Sequence, residues 1–271
     1  MKTKLFLTLF LCFGITILFA QNSISGELNG AKQVSKQQQT ETVKPESNPV
    51  YSSPMDIGEG FDDITLLPGS GWAMINMSNP LGVTNWFQGN NIVFPAYDGA
   101  ATAYIAANFN NTTGGTGTIS NWLITPMQVV QDGDEISFYT RVPTGSIWAD
   151  RLQVRLSTNG SSTDVGGSEF SVGDFTHLLL DINSSYSLGV YPEVWTQYTA
   201  VVTGVGGPVS GRFALRYFVE NAGPSGVNSN YIGIDRVEFA RNLTVPLSNW
   251  AIIIGVILIL SFAIIRYRRM N

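Results

Sequence analysis

The chain has 271 residues and a formal net charge of −5, with 44% hydrophobic residues and only 13% charged ones. Between Glu59 and Arg241 seven arginines stand against sixteen carboxylates, a net of −9, and all five lysines precede residue 45. Such a surface repels phosphate backbones, so nucleic acid is excluded as a partner, whereas a divalent cation suits it.

At the N-terminus, Lys2 and Lys4 precede an apolar run from Leu5 to Phe19, and Ala20 offers a small residue before Gln21. This is the pattern of an export signal over residues 1–20. Cys12, the only cysteine, lies inside it. The exported remainder therefore has neither disulfide nor thiol chemistry and depends on a sizeable core, with a bound ion as the available supplement. Residues 21–58 are rich in Gln, Ser, Lys, Thr and Pro. Too little apolar surface is present there to offset ordering entropy, which predicts a disordered spacer.

From Glu59 onward short apolar-alternating runs are separated by Gly, Asn, Asp, Ser and Pro, the all-β texture. The run 135–142 places Ile136, Phe138 and Val142 on one face. Leu152, Val154 and Leu156 share a face with Arg151, Gln153 and Arg155 opposite, and Phe213, Leu215, Tyr217 and Val219 point inward together. Further runs cover 102–109, 121–130, 195–203 and 231–239, with turn signals at Asp132-Gly133, Asn159-Gly160 and Gly206-Gly207-Pro208. About ten strands predict two antiparallel sheets packed as a jelly-roll β-sandwich over residues 59–242. Within 231–239 the phase breaks: Ile232 and Ile234 share one face, Val237 and Phe239 the other. One extra residue, a bulge near Asp235, brings all four to the core. Asp235 then either stabilises the bulge or serves as a ligand.

Chemistry-bearing residues are sparse. His177 is the only histidine, so a His-based zinc cluster is impossible and a Ser-His-Asp triad would have to use it. No Gly-x-Ser-x-Gly elbow occurs. The chain reads as a non-enzyme, with carboxylate-based glycoside hydrolysis as the weaker alternative. Asp132-Gly133-Asp134-Glu135 reads as a turn before a strand. Trp72, Trp122 and Trp195 fall in strand motifs and are expected to fill the core. Trp148, in a Gly-Ser-Ile loop, is the candidate for an exposed ligand contact, which a carbohydrate-binding module would use.

Residues 245–271 close the chain with Val245-Pro246-Leu247-Ser248-Asn249-Trp250, an apolar run that ends at Ile265, and Arg266-Tyr267-Arg268-Arg269. A transmembrane helix over 250–265 is predicted, about 24 Å long against roughly 30 Å of hydrocarbon core. Local thinning and arginine snorkelling make up the difference. The positive-inside bias places Arg266, Arg268 and Arg269 in the cytoplasm and the sandwich outside. The three elements together resemble the tripartite sorting signals of exosortase and rhombosortase systems, nearer to the Ile-Pro-Thr-Leu type than to Pro-Glu-Pro. The resemblance implies a membrane protease that removes the helix; the alternative is a plain single-pass anchor.

Several segments occur in a telling order: Phe61-Asp62-Asp63, Gly71-Trp72, Asn85-Trp86-Phe87-Gln88-Gly89, Ser120-Asn121-Trp122-Leu123-Ile124-Thr125-Pro126, Trp195-Thr196-Gln197-Tyr198 and Tyr231-Ile232-Gly233-Ile234-Asp235-Arg236-Val237. They resemble the choice-of-anchor J domain, related to the cleaved adhesin domains of bacterial surface proteases. That resemblance implies a jelly roll, a structural calcium and a non-catalytic role in surface adhesion or matrix contact. Carried over, it points to Asp62, Asp63 and Asp235 as metal ligands. It also implies a second acidic residue after Asp235, where this sequence has Arg236. The glycan or protein that such a surface would contact is not identified by these residues.

Overall fold

The computed structural model describes residues 28–32, 55–242 and 249–270. Twelve strands follow in order: β1 Met55–Glu59, β2 Ala73–Asn76, β3 Phe87–Gln88, β4 Ile105–Asn108, β5 Gly117–Ile124, β6 Gln128–Val130, β7 Glu135–Arg141, β8 Leu152–Ser157, β9 His177–Ile182, β10 Thr196–Val201, β11 Val209–Ala222 and β12 Tyr231–Ala240, then one helix, α1 Asn249–Met270. They form two six-stranded sheets. The first runs β10-β7-β12-β4-β3 with β1 also on β12; the second runs β2-β5-β11-β8-β9 with β6 also on β11.

The alternating runs form the interface between the sheets. Ile136, Phe138, Ile232, Ile234, Val237 and Phe239 from one sheet meet Leu152, Val154, Leu156, Phe213, Leu215, Tyr217 and Val219 from the other. Each such buried side chain stabilises the fold by roughly 1.5–3 kcal/mol. The outer faces are covered too. Val165 and Phe175 pack over Trp122 and Ala214 outside the second sheet, while Phe94 and Trp195 pack over Tyr104, Ala106 and Tyr231 outside the first. Strands β11 and β12 are therefore buried on both faces over much of their length.

The bulge is present. Pairing of β12 with β7 shifts between Asp235 and Glu238, and Arg236 takes a left-handed φ of 50°. Ile232, Ile234, Val237 and Phe239 all reach the core as a result. Along the other edge of β12, β4 pairs with Tyr231–Ile234 and β1 with Val237–Ala240. The bulge therefore lies where one neighbour hands over to the other.

Two expectations are corrected here. The run 121–130 is not one strand: β5 ends at Ile124, Pro126 lacks the N–H a ladder needs, and β6 starts afresh at Gln128. The spacer is not structureless throughout. Residues 55–58 pair within β1, and Gly30, Ala31 and Lys32 are buried against the sandwich, because specific polar partners hold a segment whose composition alone would not order it.

At the other end α1 has 22 residues. Ile253, Ile254, Ile257, Leu258, Ile259 and Leu260 are exposed along it, as are Arg266, Arg268 and Arg269 in its last turns. Among the described residues no helix is long and apolar enough to cross a membrane; the apolar stretch of α1 stops at Ile265, before Arg266. Asn249 and Trp250 open this helix. The signal segment 1–20 and Val245, Pro246, Leu247 and Ser248 lie outside the described residues.

Candidate functional site

The bulge directs Asp235 outward from the sheet, yet the residue is fully buried, because the segment between β3 and β4 lies over it. That segment is seated by aromatic rings. Phe94 stacks on Tyr104 with centroids 5.2 Å apart and meets Trp195 and Tyr231 edge-on at 5.5 and 5.3 Å. Gly233 beneath them has no side chain, and a Cβ there would come within 2.8 Å of Phe94 and 2.9 Å of Trp195. Held this way, the segment donates the N–H groups of Tyr97 and Asp98 to Asp235 Oδ2, at 2.8 and 3.2 Å.

The other carboxylate oxygen, Asp235 Oδ1, is buried and has no hydrogen-bond partner among the described residues. Burial pushes the carboxyl pKa up to about 7, against the pull of those N–H groups. A buried, half-satisfied carboxylate costs free energy that a cation would offset.

Around it lies a cleft of about 300 Å3, lined by Gly58, Glu59, Gly60, Asp62, Asp98, Gly99, Asp235, Arg236 and Glu238. Most of its carboxylates have partners. Glu59 Oε1 accepts the N–H of Phe61 at 2.7 Å, fixing the left-handed turn at Phe61 that leads out of β1. Arg236 pairs with Asp98 at 3.0 Å and with Glu238 at 2.8 Å, so this residue neutralises acids in place of adding an oxygen. Asp62, beside Gly99, and the Oδ1 of Asp235 are what the cleft offers a ligand. Among the described residues no three His, Cys, Asp or Glu side chains are grouped to hold a metal ion. A cation here would therefore take its remaining oxygens from backbone and water.

Of the three residues expected as ligands, Asp62 and Asp235 line this cleft and Asp63 does not. Asp63 caps the 3-10 turn that follows, accepting from Thr65 N–H at 3.0 Å and from Thr65 Oγ1 at 2.6 Å. Those bonds hold its pKa below the usual carboxylate value. Beside the cleft, Tyr97 and Tyr139 stack with centroids 3.6 Å apart and planes 14° apart. Both rings are half-buried, and burial pushes the Tyr139 phenol up to about 12. No periodicity in the sequence singled out this pair, since Tyr97 lies in a loop and Tyr139 on an outward strand position.

Trp148 is half-buried, and the Lys32 ammonium lies 5.3 Å from its ring centroid, so the N-terminal segment engages this ring. Trp72 and Trp122 are buried as expected, whereas Trp195 is half-buried and packs outside the first sheet against Phe94. Asp134 accepts from the backbone N–H of Gln131 and Asn242 and Asp132 from that of Val205, which makes 132–134 the turn into β7. Asp150 is a further buried acid, one that no local pattern in the sequence marks. Asp150 Oδ1 accepts Tyr217 O–H at 2.5 Å and Asn230 N–H at 2.9 Å, while burial raises its pKa to about 6.

No family model matches the chain, and no curated protein matches it. Among solved structures it is similar to the K1 cleaved adhesin domain of Lys-gingipain from Porphyromonas gingivalis W83, at 20% identity over 69% of this chain and 98% of that one, with a TM-score of 0.45. It is similar to the K2 cleaved adhesin domain of Lys-gingipain at 18% identity, over 68% and 99% of the two chains, with a TM-score of 0.45. The CBM22-1 xylan-binding domain from Paenibacillus barcinonensis is similar at 14% identity, over 71% and 97%, with a TM-score of 0.36. What this chain binds has to be read from its own side chains.

Proposed function

We propose that the chain is an exported, non-catalytic binding module that acts at the cell surface, in adhesion or contact with extracellular matrix. Its sandwich is read as a jelly roll of the choice-of-anchor J type. The observation that carries this reading is the cleft at the β12 bulge, where a buried carboxylate oxygen of Asp235 lacks a partner among the described residues and Asp62 lines the same space. Calcium suits that donor set, because it takes six to eight hard oxygens in flexible geometry, including backbone carbonyls and water. Asp235 and Asp62 would hold it. The bound ion supplies the positive charge a buried carboxylate needs, and it would tie the turn after β1 to the Tyr97-Asp98 segment and to β12. Ligand contact then uses the surface this clasp orders.

A carbohydrate ligand is the second reading, favoured by the Tyr97–Tyr139 stack beside Arg236, Asp98 and Glu238. Flat aromatic surface bordered by charged hydrogen-bonding groups suits a sugar ring. Glycan-array binding by the full chain in calcium tests it. Tyr139→Ala is expected to weaken binding by about tenfold or more, and an unchanged array signal would point the surface toward a protein ligand.

Export through the 1–20 signal and retention or processing at the C-terminal signal complete the proposal. Asn249 and Trp250 begin a helix that ends in Arg266, Arg268 and Arg269. Its apolar length enters a bilayer only with thinning and snorkelling. A sorting protease of the exosortase or rhombosortase type would act at 245–250. Mass spectrometry of the exported pool decides between the alternatives: absence of peptides covering 250–266 agrees with processing, and their recovery leaves a simple anchor.

A further inference from the structure

Residues 28–32, Leu-Asn-Gly-Ala-Lys, lie in a slot at the start of β12, and the slot recognises them mainly through their backbone. Asn108 Nδ2 donates to the carbonyls of Leu28 and Gly30 at 3.1 and 2.8 Å. Asn110 Nδ2 also donates to Leu28 at 3.0 Å, and Asn90 Nδ2 donates to Asn29 at 3.3 Å. Asn230 Oδ1 accepts the N–H of Lys32 at 2.6 Å. Four asparagines from three separate stretches of chain thus read one short peptide.

The one side chain read in detail is a lysine. Lys32 is 3% exposed, with Nζ donating to the carbonyls of Gly226 and Asn228 at 3.3 and 3.2 Å. It lies 5.2 Å from the Phe109 ring centroid and 5.3 Å from that of Trp148. The buried Asp150 carboxylate adds a longer-range attraction. Two carbonyls, two aromatic faces and a distant carboxylate form a receptor for a primary ammonium. Ala31 beside it is buried, leaving little room for a larger residue.

The slot holds its shape through bonds that do not involve the peptide. Asn108 Oδ1 accepts from Asn110 N–H and Thr84 Oγ1. The Asn230 N–H donates to Asp150 and its Nδ2 to Ser146 Oγ. Preorganisation of this kind keeps the cost of binding low. Chain connectivity does not force occupancy either. The occupant is separated from β1 by residues 33–54, twenty-two residues, which can span up to about 75 Å. The ten residues of β12 that separate the slot from the partner of Met55 cover only about 33 Å.

We propose that this slot is a binding site for a short lysine-bearing peptide, and that the chain's own Leu28–Lys32 segment is its resident, exchangeable occupant. The site is separate from the acid cleft and does not depend on calcium there.

The test adds a fluorescein-labelled peptide of residues 26–34 to the full chain and reads anisotropy. Lys32→Ala, which weakens the resident segment, is expected to bind the peptide about tenfold or more tighter than the wild-type chain does. A peptide with alanine in place of the lysine is expected to bind neither chain. Equal binding by wild type and Lys32→Ala, no binding by Lys32→Ala, or equal binding of the alanine peptide would overturn the proposal. A second measurement needs no variant. Trypsin is expected to cut wild-type chain after Lys32 about tenfold or more slower than after Lys36, with excess unlabelled peptide raising the Lys32 rate. Equal rates at Lys32 and Lys36, or a Lys32 rate unmoved by peptide, would count against it.

Discussion

Gly233→Ala tests whether the aromatic rings hold the segment that faces Asp235. Gly233 lies within β12, its carbonyl accepting Thr140 Oγ1 at 2.7 Å, and its φ is not in the left-handed region. On backbone grounds alone, alanine would stabilise the fold by about 0.4–1 kcal/mol through the unfolded state. The added Cβ, however, would stand 2.8 and 3.0 Å from two Phe94 ring atoms and 2.9 Å from Trp195. Phe94 has no free direction, being packed against Tyr104, Trp195 and Tyr231, and overpacking of this kind costs about 1–3 kcal/mol. The steric effect wins, for a net destabilisation of roughly 1–2 kcal/mol. Urea unfolding measures it. Amide exchange at Tyr97 and Asp98 reports where the strain goes, and faster exchange is expected there because Phe94 carries the segment that presents those N–H groups. A variant as stable as wild type, with both amides equally protected, would refute the idea that the rings hold the segment in place.

Tyr217→Phe removes the hydroxyl donor of Asp150, a buried carboxylate acceptor, at a cost of about 1–3 kcal/mol in urea unfolding. The folded pKa of Asp150 is raised from 3.8 to about 6. Between those values the folded state binds more protons than the unfolded one, so this group's contribution to stability falls as pH rises through that window. Because the lost bond favours the charged form, the cost of Tyr217→Phe is constant while Asp150 is protonated in the folded state and grows as pH rises through about 6; a pH-independent cost across that range would contradict this. In a calcium titration Asp62→Asn is expected to reduce the response and Asp63→Asn to leave it intact, since Asp63 is occupied with Thr65. Equal effects of the two substitutions would show that the cleft has been assigned to the wrong residues.

The sheet architecture was legible because period-two burial leaves its mark on local sequence. The phase error in 231–239 even located the bulge, since only an inserted residue lets Ile234 and Val237 share a face. The shared cleft of Asp62 and Asp235 follows from β1 and β12 being neighbours. Asp63 turns away from the cleft because a turn begins there and sends its carboxylate back to Thr65. What remained hidden is non-local. Nothing near Tyr97 shows that it stacks on Tyr139, and nothing near Trp148 shows that Lys32 reaches its ring. The polar composition of 21–58 likewise conceals five residues held by asparagines far along the chain, because composition averages over contacts that depend on position.

The most direct measurement is thermal unfolding of the full chain in millimolar calcium and in EDTA, for wild type and Asp235→Asn. A cation that binds only the folded state raises the midpoint by mass action, worth about 2.7 kcal/mol at a hundred times the Kd. Wild type is expected to melt several degrees higher in calcium and Asp235→Asn at the same temperature in both. Identical wild-type midpoints with and without calcium would contradict the assignment of a cation to the Asp235 cleft.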